Sequence, residues 1–198
     1  MILYIETNFL MSIAKGQDLQ AEYLLKNTPN SVRLAMPSLC FAEALTTLEQ
    51  EGKYSRDFLN KLDMQISEAE RDKSSENARL LFLQLEQSKI SFFERMNDIK
   101  KRFDDSFNKL FILAEIIELT SEILEESSII NLLEKHIVDK FILACIIYHA
   151  RLHPSEKKIF LSSNSKEFGQ REVIDLLQNA GIRYFNKTQN FLGWLQSQ

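Results

Sequence analysis

Three carboxylates carry the clearest chemical signal in this chain. Glu6 closes the apolar run Ile2-Leu-Tyr-Ile5, and Thr7-Asn8, residues suited to starting a helix, follow at once. An acid so placed sits at the carboxyl end of a first strand, where open α/β sheets build their sites. Glu43 and Asp139 stand at the starts of two later helical patterns. Carboxylate oxygens suit hard divalent cations, and such cations activate water and stabilise the leaving oxygen at a phosphodiester. The three acids together point to metal-dependent cleavage of nucleic acid.

Each acid also has an ordinary explanation when taken alone. Asp139 in a first helical turn favours the helix macrodipole, and Glu43 reads as an exposed helix residue. Glu6 is harder to dismiss, because an acid ending a buried strand must find donors, a cation or water. The chain holds 28 Asp and Glu among 198 residues, so three acids at three chosen places coincide by chance on the order of a few times in a thousand.

The elements that must position these acids follow from local pattern. Ile2–Ile5 reads as a buried strand, and Thr7 or Asn8 as the cap of a helix from Phe9 to about Lys15, ended by Gly16. A second helix spans Leu19–Lys26. Val32–Met36 reads as the next strand, and Pro37-Ser38 opens a helix that runs to Glu51. Strand then helix, twice, is an α/β pattern. From Tyr54 to about Leu110 no strand signal occurs. Leu81, Leu85, Phe92, Met96, Ile99, Phe103, Phe107 and Leu110 form one apolar stripe, with a weaker stripe of Phe58, Leu62, Ile66 and Ala69 before it. The polar segment Glu70–Arg79, with Ser74-Ser75, is where a helical hairpin would break.

Thr120–Leu133 is expected as an amphipathic helix. An apolar helix runs from Asp139 to His153-Pro154, where proline stops it. Lys158–Ser162 reads as a strand, Asn164-Ser-Lys-Glu167 as a capping-box helix start, and Val173–Ala180 as a helix ended by Gly181. Ile182–Phe185 is a last strand, and Phe191–Leu195 a short terminal helix. The expected fold class is α/β: a small, mainly parallel, twisted sheet flanked by helices. Residues 1–198 form one domain on this reading, with residues 54–110 an inserted helical hairpin.

Composition limits the alternatives. With 44% hydrophobic and 26% charged residues and no low-complexity tract, the chain has the make-up of a globular domain. Phe141–Ile147, the longest apolar stretch, falls far short of the roughly 20 residues a membrane span needs, and no secretory leader is visible. Cys40 and Cys145 lie in apolar helical contexts without metal-ligand spacing, which fits core thiols and a reducing, cytoplasmic setting. A net charge of −4 gives no global attraction to nucleic acid, so such a partner requires local basic residues or metal ions. Gly-rich phosphate loops, the Gly-x-Ser-x-Gly elbow and Cys–His nucleophile patterns are all missing.

Four separated segments resemble the PIN-domain family. Ile5-Glu-Thr-Asn-Phe-Leu10 is similar to the family's opening hydrophobic-Asp-Thr-Asn pattern, with Glu for Asp. Pro37-Ser-Leu-Cys-Phe-Ala-Glu43 resembles its Pro-Ser and later Glu. Asp139-Lys-Phe-Ile-Leu-Ala144 is similar to its Asp followed by an apolar helix, and Phe160-Leu-Ser-Ser-Asn-Ser-Lys-Glu-Phe168 to its strand-Thr-x-Asp-x-x-Phe element. What the resemblance implies is a ribonuclease of the kind found as VapC-like toxins and in RNA-processing factors. Glu6, Glu43 and Asp139 would hold Mg2+ or Mn2+, with Glu43 either a ligand or the group orienting the attacking water. Thr7, Asn8, Ser163, Asn164 and Ser165 would stand behind those ligands or touch phosphate. RNA is the implied partner, and an antitoxin or other protein and a second copy of the chain are compatible ones.

Two departures from the pattern matter. Glu6 adds a methylene to the usual Asp, which moves a bound ion out by about 1 Å or draws the strand end back. Ser165 stands where the resemblance places a fourth acid, and Glu167, two residues on, either compensates or partners an Asn164 helix cap. Weak activity, a single-metal site and no activity are all compatible with that change. The last makes the alternative reading a degenerate PIN-fold module that binds RNA or protein without cutting. Among other features, His149 and His153 have the i, i+4 spacing that clasps zinc but lack a partnering His-Glu-x-x-His pattern, and a partly exposed helix end accounts for them. Arg95, Lys100-Lys-Arg102 and Lys109 read as a solvated helix face or as phosphate contacts.

Overall fold

A computed structural model describes residues 1–197. The chain divides into two compact units, Met1–Ala44 with Phe103–Gln198, and Leu45–Arg102. In the first, five parallel strands form one sheet: β1 (Ile2–Ile5), β2 (Arg33–Pro37), β3 (Glu115–Ile117), β4 (Lys158–Leu161) and β5 (Ile182–Phe185). Their order is β3-β2-β1-β4-β5. The fold is α/β as expected, with every pairing parallel.

The chain proceeds leftward from β1 through β2 to β3, then crosses to the other side of β1 for β4 and β5. The order therefore reverses between β1 and β4, and a crevice opens beyond their carboxyl ends at such a reversal. The register pairs Ile5 with Leu161, so Glu6 and Ser162 are the first residues past the paired rungs.

Helices α1 (Thr7–Ala14) and α2 (Leu19–Lys26) connect β1 to β2. The cap of α1 is Glu6 itself, whose carboxylate accepts from the Asn8 N–H, so neither Thr7 nor Asn8 has the capping role expected of it. Gly16 takes a φ of 68° after α1, and Asp18 caps α2 through the Gln20 and Ala21 N–H groups. After β2, α3 (Ser38–Arg71) and α4 (Glu76–Leu113) run as two long helices. The break falls inside the polar Glu70–Arg79 segment. There Asp72 accepts from the Ser74 and Ser75 N–H groups. Within residues 45–102, Phe58 meets Phe92 with ring centroids 4.7 Å apart, and Leu62, Ile66 and Ala69 are buried.

Four elements differ from the sequence reading, the first being α3, which runs unbroken through Gly52 to Arg71 where a stop at Glu51 is expected. β3 is an unexpected edge strand. Helix α5 (Ser121–Ile129) stops four residues short of Leu133, which itself takes a positive φ of 57°. Residues 165–169 form turns, and the helix that follows, α7, begins only at Arg171 (Arg171–Asn179). The Asn164 N–H donates to Ser162 Oγ, which leaves no capping box for Glu167 to complete. Helix α6 (Ile137–Leu152) is apolar around most of its girth and buries Ile142–Ile147, and α8 (Thr188–Gln196) closes the chain. Both cysteines are buried and unpaired. Among the described residues no helix is long and apolar enough to cross a membrane.

Candidate functional site

The carboxyl ends of β1 and β4 bring residues more than 150 positions apart into one place. Glu6 follows β1 and is buried, at 2% exposure. Its Oε1 accepts from the Ser162 hydroxyl at 2.8 Å, and its Oε2 from the Asn8 N–H at 2.7 Å. Ser162 is held in turn by β5, since its N–H donates to the Phe185 carbonyl and its own carbonyl accepts from Tyr184 Oη. Desolvation in this position pushes the Glu6 carboxyl up to about 7 against the two hydrogen bonds, and the charges of Glu43 and Asp139 add to the rise.

Glu43 lies in the second turn of α3 and is half-buried. Its Oε2 is hydrogen-bonded by the buried Thr7 hydroxyl, which also lies 3.4 Å from the Cys40 carbonyl. Asp139 is the third residue of α6, where its charge complements the helix dipole. The Asn164 side-chain amide donates to Asp139 Oδ1 at 3.3 Å, tying the loop after β4 to the start of α6. Burial, then the charges of Glu43 and Glu167, hold the Asp139 carboxyl up at about 6, against His136 and Asn164.

The other expected residues divide. Thr7, Asn8 and Asn164 hold the acids in place, each by a hydrogen bond. Ser163 and Ser165 are exposed and make no side-chain bond to the acids among the described contacts. Ser165 instead serves through its backbone: its carbonyl accepts from the Gly169 N–H, and a Cβ at Gly169 would come within 2.3 Å of that oxygen. This tight turn packs Phe168 against Phe160 and leaves Glu167 only 7% exposed.

His136 joins the cluster although the spacing did not single it out, and Glu167, one of whose two expected roles was to compensate for Ser165, lies beside it. His136, just before α6, places Nδ1 3.9 Å from Asp139 and Nε2 3.8 Å from Glu167. Glu167 acts on Asp139 through charge and supplies a fourth carboxylate where Ser165 cannot. The group is thus Glu6, Glu43, Asp139 and Glu167, with His136 between the last two.

The donor chemistry of these acids is that of a hard-cation site, although among the described residues they do not bring three ligand atoms within 4.8 Å of one another as they stand. All four side chains offer hard oxygen ligands of the kind Mg2+ and Mn2+ prefer. Two of them are held above their ordinary range partly by one another's charge, an unfavourable balance that a cation would reverse.

Comparison with known proteins gives one family match and a likeness to a solved structure. A family model described as PIN domain matches residues 3–168. No curated protein matches the chain significantly. Among solved structures, it is similar to the crystal structure of VapBC2 from Rickettsia felis bound to a DNA fragment from their promoter. That likeness has 16% identity and a TM-score of 0.38, over 93% of this chain and 99% of that one.

Proposed function

The chain belongs to the PIN-domain family, and on that footing we propose that it is a divalent-metal-dependent ribonuclease. Glu6, Glu43 and Asp139 would hold Mg2+ or Mn2+, with Glu167 as the fourth acid. What supports this reading is the gathering of these acids at the reversal point of the sheet, where burial first, and then neighbouring carboxylates, lift Glu6 to about 7 and Asp139 to about 6. When bound, the cation supplies Lewis acidity toward the phosphodiester and lowers the pKa of water.

The chain's own residues do the rest. Ser162 and the Asn8 N–H hold the Glu6 carboxylate in one orientation, Thr7 holds Glu43, and Asn164 holds Asp139. Each remaining lone pair on those oxygens is then directed by fixed neighbours, so little reorganisation is needed when charge arrives. His136, 44% exposed, stands at the rim of the cluster with its two ring nitrogens facing Asp139 and Glu167.

A second reading has one observation in its favour. Glu6 is buried, caps α1 and has both oxygens hydrogen-bonded, which is a complete structural role without any cation. On that reading the chain binds RNA or protein and does not cut. Incubation of single-stranded and structured RNA oligonucleotides with the purified protein and Mn2+ separates the two. Cleavage by the wild type that is absent from Asp139→Asn supports the nuclease. Binding of the same RNAs without cleavage, and without stabilisation by Mn2+, supports the module.

A further inference from the structure

The opposite edge of the sheet holds a second group of metal-binding side chains. Glu115 opens β3, while His149 and His153 lie in the last turn of α6 and at its end. One ligand atom from each falls within 4.8 Å of the others. All three belong to the sheet-bearing unit. Asp139 and His149 are ten residues apart on α6, so the acid cluster is about 15 Å away along the helix.

We propose that Glu115, His149 and His153 form a binding site for one transition-metal cation of the Zn2+ class, separate from the acid cluster. His149 Nε2 and Glu115 Oε1 are 3.1 Å apart. Two ligands bound at 2.0–2.1 Å in a tetrahedron stand about 3.3 Å apart, so this pair already has the spacing of one tetrahedral edge. The His149 and His153 rings are in contact, with centroids 4.5 Å apart, which places the second imidazole on the same side.

The surroundings of His149 suit a ligand. Its Nδ1 is 3.0 Å from the buried Tyr4 hydroxyl. With Nε2 bound to metal, Nδ1 carries the proton and donates to Tyr4 Oη, and a hydroxyl can serve as either donor or acceptor. Such a partner behind a ligating imidazole fixes its tautomer and ring plane.

Glu115 divides its two oxygens. Oε1 faces His149, whereas Oε2 is buried without an aligned hydrogen bond, 3.2 Å from Arg33 Nη1. Arg33 is shared with Glu156, to which it is bonded at 2.7 Å. Arg33 thus faces Glu115 from the side away from His149 and leaves Oε1 to the imidazoles. Lys158 Nζ caps the Ala150 carbonyl and adds positive charge near this end of α6. The carboxylates of Glu115 and Glu156, with the carbonyl end of the α6 dipole, offset it. Imidazole with one carboxylate selects Zn2+, Co2+, Ni2+ or Cu2+ over the Mg2+ and Mn2+ that suit an all-carboxylate cluster. Three protein ligands leave the fourth position to water. The bound ion would staple the three-residue edge strand β3 to the central helix.

Titration of the full chain with Co2+ at pH 7.5, followed in the visible region and then by Zn2+ competition, tests this. The expected result is one equivalent of Co2+ with the strong bands of tetrahedral coordination, displaced by Zn2+ and unchanged in Asp139→Asn. The bands should vanish in His153→Ala, whose side chain is 28% exposed and rests on the His149 ring and beside Glu156. Glu115→Gln, which keeps the shape of the side chain, should weaken binding about 100-fold, no less than loss of an outer-shell partner does. Absence of the bands in the wild type, their survival in both His153→Ala and Glu115→Gln, or their loss in Asp139→Asn would overturn the assignment.

Discussion

Glu6 and Ser162 occupy neighbouring positions one step past the paired ends of β1 and β4, and the Ser162 hydroxyl donates to Glu6 Oε1 at 2.8 Å. Parallel register places them side by side. The longer side chain of Glu6 reaches its neighbour strand and also turns back over the first turn of α1, so one carboxylate is both helix cap and cluster member.

Stability should depend on pH through this carboxylate. Its folded pKa, about 7, lies above the ordinary value of 4.5. Between those values the folded chain keeps a proton that the unfolded chain has released, so stability falls as pH rises through the window and levels off above it. Glu6→Gln retains donors and acceptors for both neighbours and cannot ionise. The variant should be more stable than wild type at pH 8, by up to about 3 kcal/mol, and equal to it near pH 4. Thermal unfolding from pH 4 to 8 checks this, and parallel profiles for the two proteins would rule out Glu6 as the titrating group. The same variant should lose any Mn2+ stabilisation.

Ser162→Ala should cost about 1–3 kcal/mol, because it removes a donor to buried Glu6 and the acceptor of the Asn164 N–H. The Glu6 pKa should rise further with that donor gone. Denaturant unfolding gives the first quantity, and carboxyl carbon NMR of Glu6 the second. A Glu6 resonance that titrates as in wild type would contradict the second.

Glu167 and Ser165 make opposing expectations about the fourth acid. Glu167→Gln should lower metal-dependent RNA cleavage at least tenfold with little change in melting temperature, since its neighbour His136 is exposed. Ser165→Asp should change cleavage little, because position 165 points to solvent. Rates at fixed Mn2+ decide it. A large gain from Ser165→Asp together with indifference to Glu167→Gln would return the role to position 165.

Gly169→Ala should destabilise the fold by roughly 1–3 kcal/mol, as backbone must move to relieve the 2.3 Å approach to the Ser165 carbonyl. That movement also shifts Glu167 and the start of α7. Far-UV melting reports the cost. A variant as stable as the wild type would mean the 165–169 turn has slack.

Four of the five strands and the α/β class were legible because short apolar runs ended at polar or glycine signals. β3 was not: three residues, Glu115-Ile-Ile117, show no alternation, and they follow Phe111-Ile-Leu113 at the end of a long helix. Asn164-Ser-Lys-Glu167 has the letters of a capping box, but burial of Phe168 and the close turn at Gly169 draw the backbone off the helical path. In the site, an acid ending a strand was visible in one dimension. His136 was hidden in the polar stretch Glu134-Lys-His136, and Glu115 with His149 exists as a pair only once β3 lies beside α6. Spacing along a chain reveals partners on one helix or one strand. It cannot reveal those that tertiary packing alone brings together.

The pairing of Ile2 with Lys158 has a consequence for the order of assembly. The first strand finds one of its two neighbours only when the chain has been made as far as Leu161. Closing so long a loop delays this step relative to the local helices, which form within themselves. The four carboxylates are therefore gathered late, and a growing chain that has not reached Glu167 has no assembled cluster. Synthesis of the chain carries its own delay: whatever the acids do when gathered, they do it only after Glu167 has been made.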